Sequence, residues 1–410
     1  MIILSIETSC DETAVSLLQF EVQGSDITVT ILGNTLFSQV DIHREYGGVF
    51  PMLAKREHGK NLVPLTIQCL KEADLYQKKL SQNITDLDPN SLNEINKILE
   101  RENNLSELFC KEITTLEKPT IDAIAVTHGP GLEPALWVGV SFAKALSKLW
   151  GVPLIPTNHM EGHIAVALLE EKTDEKTTSF SIKKVAYPAL ALLISGGHTE
   201  LVLITEEGKY QIVGQTRDDA LGEAFDKVAR ILGLPYPGGP EISKLADADR
   251  IHRPNGENSQ YKLPRPMIYS KDFDFSFSGI KTAVLYMVQK ISLLTPDIQM
   301  QIARQFEDAV TEVIISKTKK CLERTGAKTL ILGGGVVANT RIRKSFEELV
   351  QVLPDIQLQI PRISHTTDNA IMIGVAGYHR YISGIRGDSS TLRAEGCLKL
   401  SNTTASQKLA

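Results

Sequence analysis

Read as apolar and polar positions, the chain carries one short plan twice. Ile2 to Phe20 (IILSIETSCDETAVSLLQF) is an apolar run, a polar turn and an alternating run, which predicts a β-hairpin. Ala189 to Thr205 (ALALLISGGHTELVLIT) repeats the layout, with its turn at SGGHT. Later in each half an apolar run meets a glycine turn and then a helical pattern. In the first half IDAIAVTHGPG leads into LWVGVSFAKALSKLW; in the second AKTLILGGGVVAN leads into TRIRKSFEELV. Continuous apolar runs suit central parallel strands covered on both faces, and the glycines let the backbone turn sharply into the helix. The repetition predicts an α/β protein of two related halves, each with an antiparallel hairpin beside parallel strands.

Polar insertions separate these core elements. Residues 71–118 show helical spacing around Leu92, Ile95, Ile98 and Leu99, which predicts helical decoration outside the core. Glu170 to Lys184 (EEKTDEKTTSFSIKK) reads as a charged, mobile loop, and 401–410 as a patternless, disordered tail. The expected division is an N-terminal lobe of 1–157, carrying the 71–118 insertion and completed by 366–400, and a C-terminal lobe of 158–365.

Bulk composition narrows the classes. A chain of 410 residues exceeds one small core, in agreement with two halves. A net charge of -5 provides no global basic field for nucleic acid, although AKREHGK (Ala54 to Lys60) and RIRK (Arg341 to Lys344) are local basic clusters. The five cysteines are odd in number and form no C-x-x-C pair, which argues against a disulfide framework and for a reducing compartment. No apolar run reaches membrane-spanning length, and the opening MIILSIET reads as a strand, not as a signal or transit segment.

The chemistry starts at NHMEGH, where His159 and His163 stand at i and i+4 on one face of an expected helix capped by Thr157 or Asn158. Met160, Ile164 and Leu168 take the neighbouring core-facing stripe. Two neutral imidazoles at this spacing suit one zinc or iron ion; the bland reading is a half-buried pair bonded to backbone. The zinc-protease motif H-E-x-x-H is not met, because Glu161 sits two places after the first histidine. In SHTTDNAIMIG, Asp368 offers a third ligand, with His365 as competitor and helix capping as its ordinary role. Two histidines and a carboxylate leave open positions, the mark of a catalytic or substrate-binding site.

There is no Walker loop and no G-x-G-x-x-G after a strand. Glycine turns at Ser195 to Thr199, at Gly238-Gly239 and at Gly333 to Gly335 have free amides that can cradle phosphate. Together, in a duplicated α/β chain with a cleft between its halves, they favour a nucleotide site. Glu223 and Asp226 read either as surface acids or as acceptors for ribose hydroxyls.

ETSCDET, HGPG, NHMEGH, LLISGGHTEL, GEAFDKVARILGLPYPGGP, GGGVVAN and TDNA, in this order, resemble the tRNA threonylcarbamoyladenosine transferases, once called glycoproteases. The resemblance covers the chain outside 71–118 and the tail. It implies a duplicated actin-like/Hsp70-like fold (the ASKHA superfold), two lobes with a nucleotide cleft between them. It implies transfer of a threonylcarbamoyl group from threonylcarbamoyl-AMP, made by a separate synthase, to N6 of adenosine 37 in tRNAs reading codons that begin with A. Carried over by motif, His159, His163 and Asp368 hold one divalent zinc or iron ion per subunit. Leu193, Ile194, Ser195, Gly196, Gly197, Asp226, Gly239 and Asn339 bind the adenylate donor. No general base is assigned; His198 is one candidate. The SIETSCDET form belongs to the bacterial and mitochondrial branch, and the long insertion favours the mitochondrial member, a matrix homodimer acting without accessory proteins; the alternative is a bacterial cytoplasmic enzyme. The competing functions are a metalloendopeptidase, and an ATP-binding kinase-like or chaperone-like module using Asp11 in the first hairpin.

Overall fold

A computed structural model describes residues 1–79, 89–172, 178–254 and 260–400. In chain order, β1 (Ile2–Glu7), β2 (Glu12–Gln23) and β3 (Asp26–Ser38) precede α1 (Val40–Arg44), α2 (Pro51–Glu72), α3 (Pro89–Leu99) and α4 (Asn103–Leu108). Next come β4 (Ala123–Gly129), α5 (Glu133–Trp150), β5 (Leu154–Asn158), α6 (His159–Val166), β6 (Leu169–Glu171) and β7 (Ser179–Ile182). The second half opens with β8 (Ala189–Ile194), β9 (Thr199–Glu206) and β10 (Lys209–Gln215), followed by α7 (Leu221–Ile231), α8 (Gly238–His252), α9 (Ser278–Gln289) and α10 (Pro296–Thr325). It closes with β11 (Thr329–Gly333), α11 (Thr340–Gln351), β12 (Gln357–Gln359) and α12 (Ala370–Ile382).

The chain forms two units. One comprises Met1–His43, Val49–Lys184 and Asp368–Ala410; the other Arg44–Gly48 and Val185–Thr367. The boundary therefore falls after Lys184, where the sequence placed it after 157. The reason is pairing: β7 adds to the free edge of β3 and β6 to β7, so α6 stays with the N-terminal sheet. Both ends of the expected Glu170 to Lys184 loop are thus strand; its middle, 173–177, lies outside the described residues, as does the 401–410 tail.

The first sheet runs β5-β4-β1-β2-β3-β7-β6 and the second β10-β9-β8-β11-β12. Read outward from the hairpin, β5-β4-β1-β2-β3 and β12-β11-β8-β9-β10 are the same arrangement. In both, the first strand pairs antiparallel with the second and parallel with the strand that follows the insertion. The duplicated α/β architecture read from the sequence is present.

In the first unit the sheet is covered on both faces, and alternation in β1 assigns them. Leu4 and Ile6 join α2 and α5 in one core, while Ile3 joins α12 in the other. The inserted helix α3 is not mere decoration, since Ile95 and Leu99 are buried in the same core as α5. Two glycines set how closely α12 approaches the sheet. A Cβ at Gly377 would lie 2.6 Å from Ala125 Cβ, and one at Gly374 would run into Leu18. Gly162 of α6 likewise faces α12, where a Cβ would meet Ile373 Cδ1 at 3.0 Å. This stack of sheet, α12 and α6 places the start of α12 beside the histidine pair.

Two buried histidines give the first unit a pH signature. His58 of α2 donates from Nε2 to the Cys10 carbonyl (2.9 Å), and Thr13 Oγ1 meets its Nδ1 at 2.7 Å. Burial holds His58 down at about 4, against the pull of the Cys10 carbonyl and Glu7; burial likewise holds His128, at the end of β4, at about 4. Unfolded imidazole takes its proton near pH 6.5, so this stability is present above about 6.5 and is lost as pH falls towards 4, by up to about 1.4 kcal/mol per pH unit per histidine. Both tryptophans, Trp137 and Trp150, lie on α5 and report this unit. Their fluorescence should show the urea midpoint losing less between pH 7 and pH 5 in His58→Gln than in wild type; an equal loss in both would contradict the assignment.

Candidate functional site

Strand β5 passes straight into α6. Asn158 caps the helix, its Oδ1 accepting from Met160 N (2.9 Å) and Glu161 N (3.3 Å). All eight residues of α6 are buried, so the helix has no polar face; the stripe expected for Met160 and Ile164 is one part of a helix enclosed all round. The His159 and His163 rings meet edge to face with centroids 4.7 Å apart.

Asp368 arrives from the start of α12. The capping task falls to its neighbour Asn369, whose Oδ1 accepts from Met372 N at 3.0 Å, so Asp368 is not the N-cap. Asp368 Oδ1 lies 3.2 Å from His163 Nε2 and 3.4 Å from His159 Nε2. Among the described residues this trio is the group of ligand atoms able to share an ion, all within 4.8 Å of one another; His365 is not in it.

The donor chemistry fits a divalent cation. His163 is 0 % exposed, and neither ring nitrogen has an aligned hydrogen-bond partner, an arrangement that is costly unless an electrophile meets a lone pair. Burial holds His163 below the usual imidazole range. Burial pulls His159 the same way, but the carboxylates of Asp368 and Glu7 outweigh it and raise this imidazole to about 9.

Glu161 is otherwise engaged. Its Oε2 accepts from buried Arg380 Nη1 at 2.7 Å, which removes it as a free base for water activation. Glu7, Ser9 and Thr127 were missed in the sequence, yet Glu7 and Ser9 meet His159 Nδ1 and Thr127 holds Glu7. The available signal was a glutamate ending the mostly apolar run IILSIE, a buried strand position that a carboxylate occupies only for a reason.

The remaining expected residues lie in the second unit. Leu193 and Ile194 are wholly buried, so only their backbone can face a ligand. Ser195, Gly196 and Gly197 form the turn, with Ser195 N donating to the His198 carbonyl at 2.9 Å. Gly222, opening α7, donates to the Ser195 carbonyl at 3.2 Å, and a Cβ there would sit 2.7 Å from that oxygen. Gly334 closes the other side at φ +96°, where a Cβ would strike the Ile194 carbonyl. Asp226 Oδ1 accepts from Gly238 N (2.7 Å) and so fastens α7 to the N-terminus of α8; a Cβ on the next residue, Gly239, would meet nothing within 4 Å.

Two candidates carry structural duties. Glu223 pairs with Lys227 at 2.9 Å along α7, an ordinary helix-surface pair. Asn339 caps α11 through Oδ1 to Ile342 N (2.9 Å), and its amide donates to Ser243 Oγ (2.7 Å) and Glu307 Oε1 (2.6 Å). The turns therefore gather at the carboxyl ends of β8 and β11, the usual place for a ligand on an open α/β sheet.

A duplicated actin-like α/β fold with a His-His-Asp cluster and a set of glycine turns defines the class. The chain belongs to the tRNA N6-adenosine threonylcarbamoyltransferase family, whose sequence model matches residues 30–82 and 105–375. The unmatched stretch between them takes in α3. The protein of that name from Thermosipho africanus is 40 % identical over 400 residues, covering 98 % of this chain and 100 % of the relative. The Nitrosospira multiformis protein is 40 % identical over 392 residues, covering 96 % and 94 %. That of Polynucleobacter necessarius is 38 % identical over 400 residues, covering 95 % of each. Among solved structures, full-length HypF in its phosphate- and nucleotide-bound form aligns at 14 % identity and TM-score 0.45, over 70 % of this chain and 42 % of that one, too low to bear on function.

Proposed function

We propose that this tRNA-modifying transferase moves a threonylcarbamoyl group from threonylcarbamoyl-AMP to N6 of adenosine 37, in tRNAs reading codons that begin with A. The observation that carries the mechanism is the convergence of His159, His163 and Asp368 in a chain aligned almost end to end with relatives named for this transfer. Adenosine N6 is a weak nucleophile because its lone pair is delocalised into the ring, so the donor has to be activated. In the mixed anhydride, the new N6–carbonyl bond forms as the carbonyl–oxygen bond to phosphate breaks; AMP leaves, and N6 loses a proton.

The protein's own groups divide the work. In this reading the amides of Gly196 and Gly197 and the N-terminus of α8 receive the phosphate, with Asp226 and Gly239 beside the nucleoside. His159, His163 and Asp368 would hold a zinc or iron ion, which when bound supplies Lewis acidity to the transferred group. The Glu161–Arg380 pair speaks against the metalloendopeptidase alternative, which needs a free base beside the ion. A kinase-like or chaperone-like module using Asp11 gives no reason for the histidine pair. We extend the proposal to a mitochondrial homodimer that needs no accessory proteins.

The test is to give the purified chain threonylcarbamoyl-AMP and unmodified tRNA and to measure N6-threonylcarbamoyladenosine. Product from the chain alone supports both transfer and independence. Product only with accessory proteins removes the independence, and none under either condition removes the function.

A further inference from the structure

The two histidines are held differently. Neither nitrogen of His163 has an aligned partner, whereas Nδ1 of His159 is surrounded. Glu7 Oε2 lies 3.2 Å from that Nδ1 and also accepts from Thr127 Oγ1 at 2.6 Å. The other oxygen, Oε1, accepts from Ser9 N at 2.5 Å, and Ser9 Oγ lies 3.1 Å from His159 Nδ1.

Glu7 is 0 % exposed, and among the described residues the cation within ion-pair range of it is His159. A buried carboxylate without lysine or arginine is expensive, so a bare structural tie between β1 and β4 is a poor account of it. A neutral pair of hydrogen-bonding residues would join the strands at lower cost.

We propose that Glu7 is a positioning residue of the metal centre; this rests on reading His159, His163 and Asp368 as ligands. Its carboxylate takes the Nδ1 proton of His159 as a hydrogen bond. That leaves Nε2, 3.4 Å from Asp368 Oδ1, as the bare nitrogen turned towards the ion site. It also places a second negative charge behind the ligand set, so that with Asp368 the two carboxylates balance a divalent cation. Thr127 and the Ser9 amide fix the carboxylate plane. Glu7 itself touches neither ion nor substrate.

The experiment titrates zinc into the full chain against a chromophoric chelator, for wild type, Glu7→Gln and Thr127→Val. Alongside, the His159 Nδ1 proton is observed by NMR in the zinc-loaded protein. Glu7→Gln is expected to weaken zinc about 10- to 100-fold and to shift that proton upfield, and to lower the melting temperature of the zinc-free chain, where the buried His159 loses a counter-charge. Thr127→Val, which leaves Glu7 in place but unsteadied, is expected to weaken zinc by about threefold or more. Zinc affinity within twofold of wild type in both variants overturns the proposal. If Glu7→Gln does not fold, Thr127→Val decides, and unchanged affinity there overturns it. A wild-type chain that binds no zinc or iron sinks the metal reading itself, an outcome distinct from a wild type that binds zinc and variants that match it.

Discussion

His163→Ala is expected to lose its bound metal and to slow threonylcarbamoyl transfer by at least about a hundredfold, with the fold intact. The imidazole is fully buried with neither nitrogen in an aligned hydrogen bond, and it lies 3.2 Å from Asp368. In the metal-free chain it therefore contributes packing but carries the cost of two desolvated nitrogens. Alanine opens a small cavity and removes that cost, and the two effects oppose each other. The zinc-free melting temperature should move little, while the rise on adding zinc, present in wild type, should vanish. Metal analysis and melting curves with and without zinc check this. Full metal content in the variant would take His163 out of the ligand set.

The second large effect is expected in the other unit. Glu307 of α10 is 1 % exposed; its Oε2 accepts from Arg250 Nη1 (2.6 Å) and its Oε1 from Ser243 Oγ (2.8 Å) and Asn339 Nδ2 (2.6 Å). Glu307→Ala removes one of three carboxylates around Arg250, which keeps Asp247 (3.0 Å) and Asp308 (2.7 Å). It also leaves one Asn339 hydrogen without its acceptor. The cost is about 3 kcal/mol, the lower end of what breaking a buried ion pair from one side costs. Because both tryptophans lie in the first unit, amide hydrogen exchange along α8 and α10 is the suitable measurement. Acceleration of a hundredfold or more corresponds to about 3 kcal/mol. Unchanged protection would mean that the network is dispensable.

Much of the architecture was legible because local pattern and tertiary fold agree. Both hairpins, both central strands and both glycine-to-helix turns follow from alternation and from runs too apolar to be exposed. Asn158 was readable as a cap because an asparagine stood before an apolar helix. What went unread involved partners far along the chain. Beta strand β7 was hidden in a charged loop, since a short edge strand carries little apolar signal and gains its identity from pairing with β3. The helix α3 was placed outside the core although its stripe was recognised, because a stripe does not say which core it enters. Asp368 and Asn369 are both good caps; only the backbone direction at the start of α12 gives the cap to Asn369 and sets Asp368 beside the histidine pair.

By itself, then, the sequence determined the duplicated α/β plan, the family and the identity of the candidate ligands, all carried by residue type and order. The tertiary structure decided how these residues are used. It paired Glu161 with Arg380, committed Asn339 to Ser243 and Glu307, and put Glu7 behind His159. The physical reason is that a polar side chain's role depends on which donor or acceptor reaches it once water is excluded. For these residues the partners come from elements up to 219 positions apart, beyond anything local spacing can express.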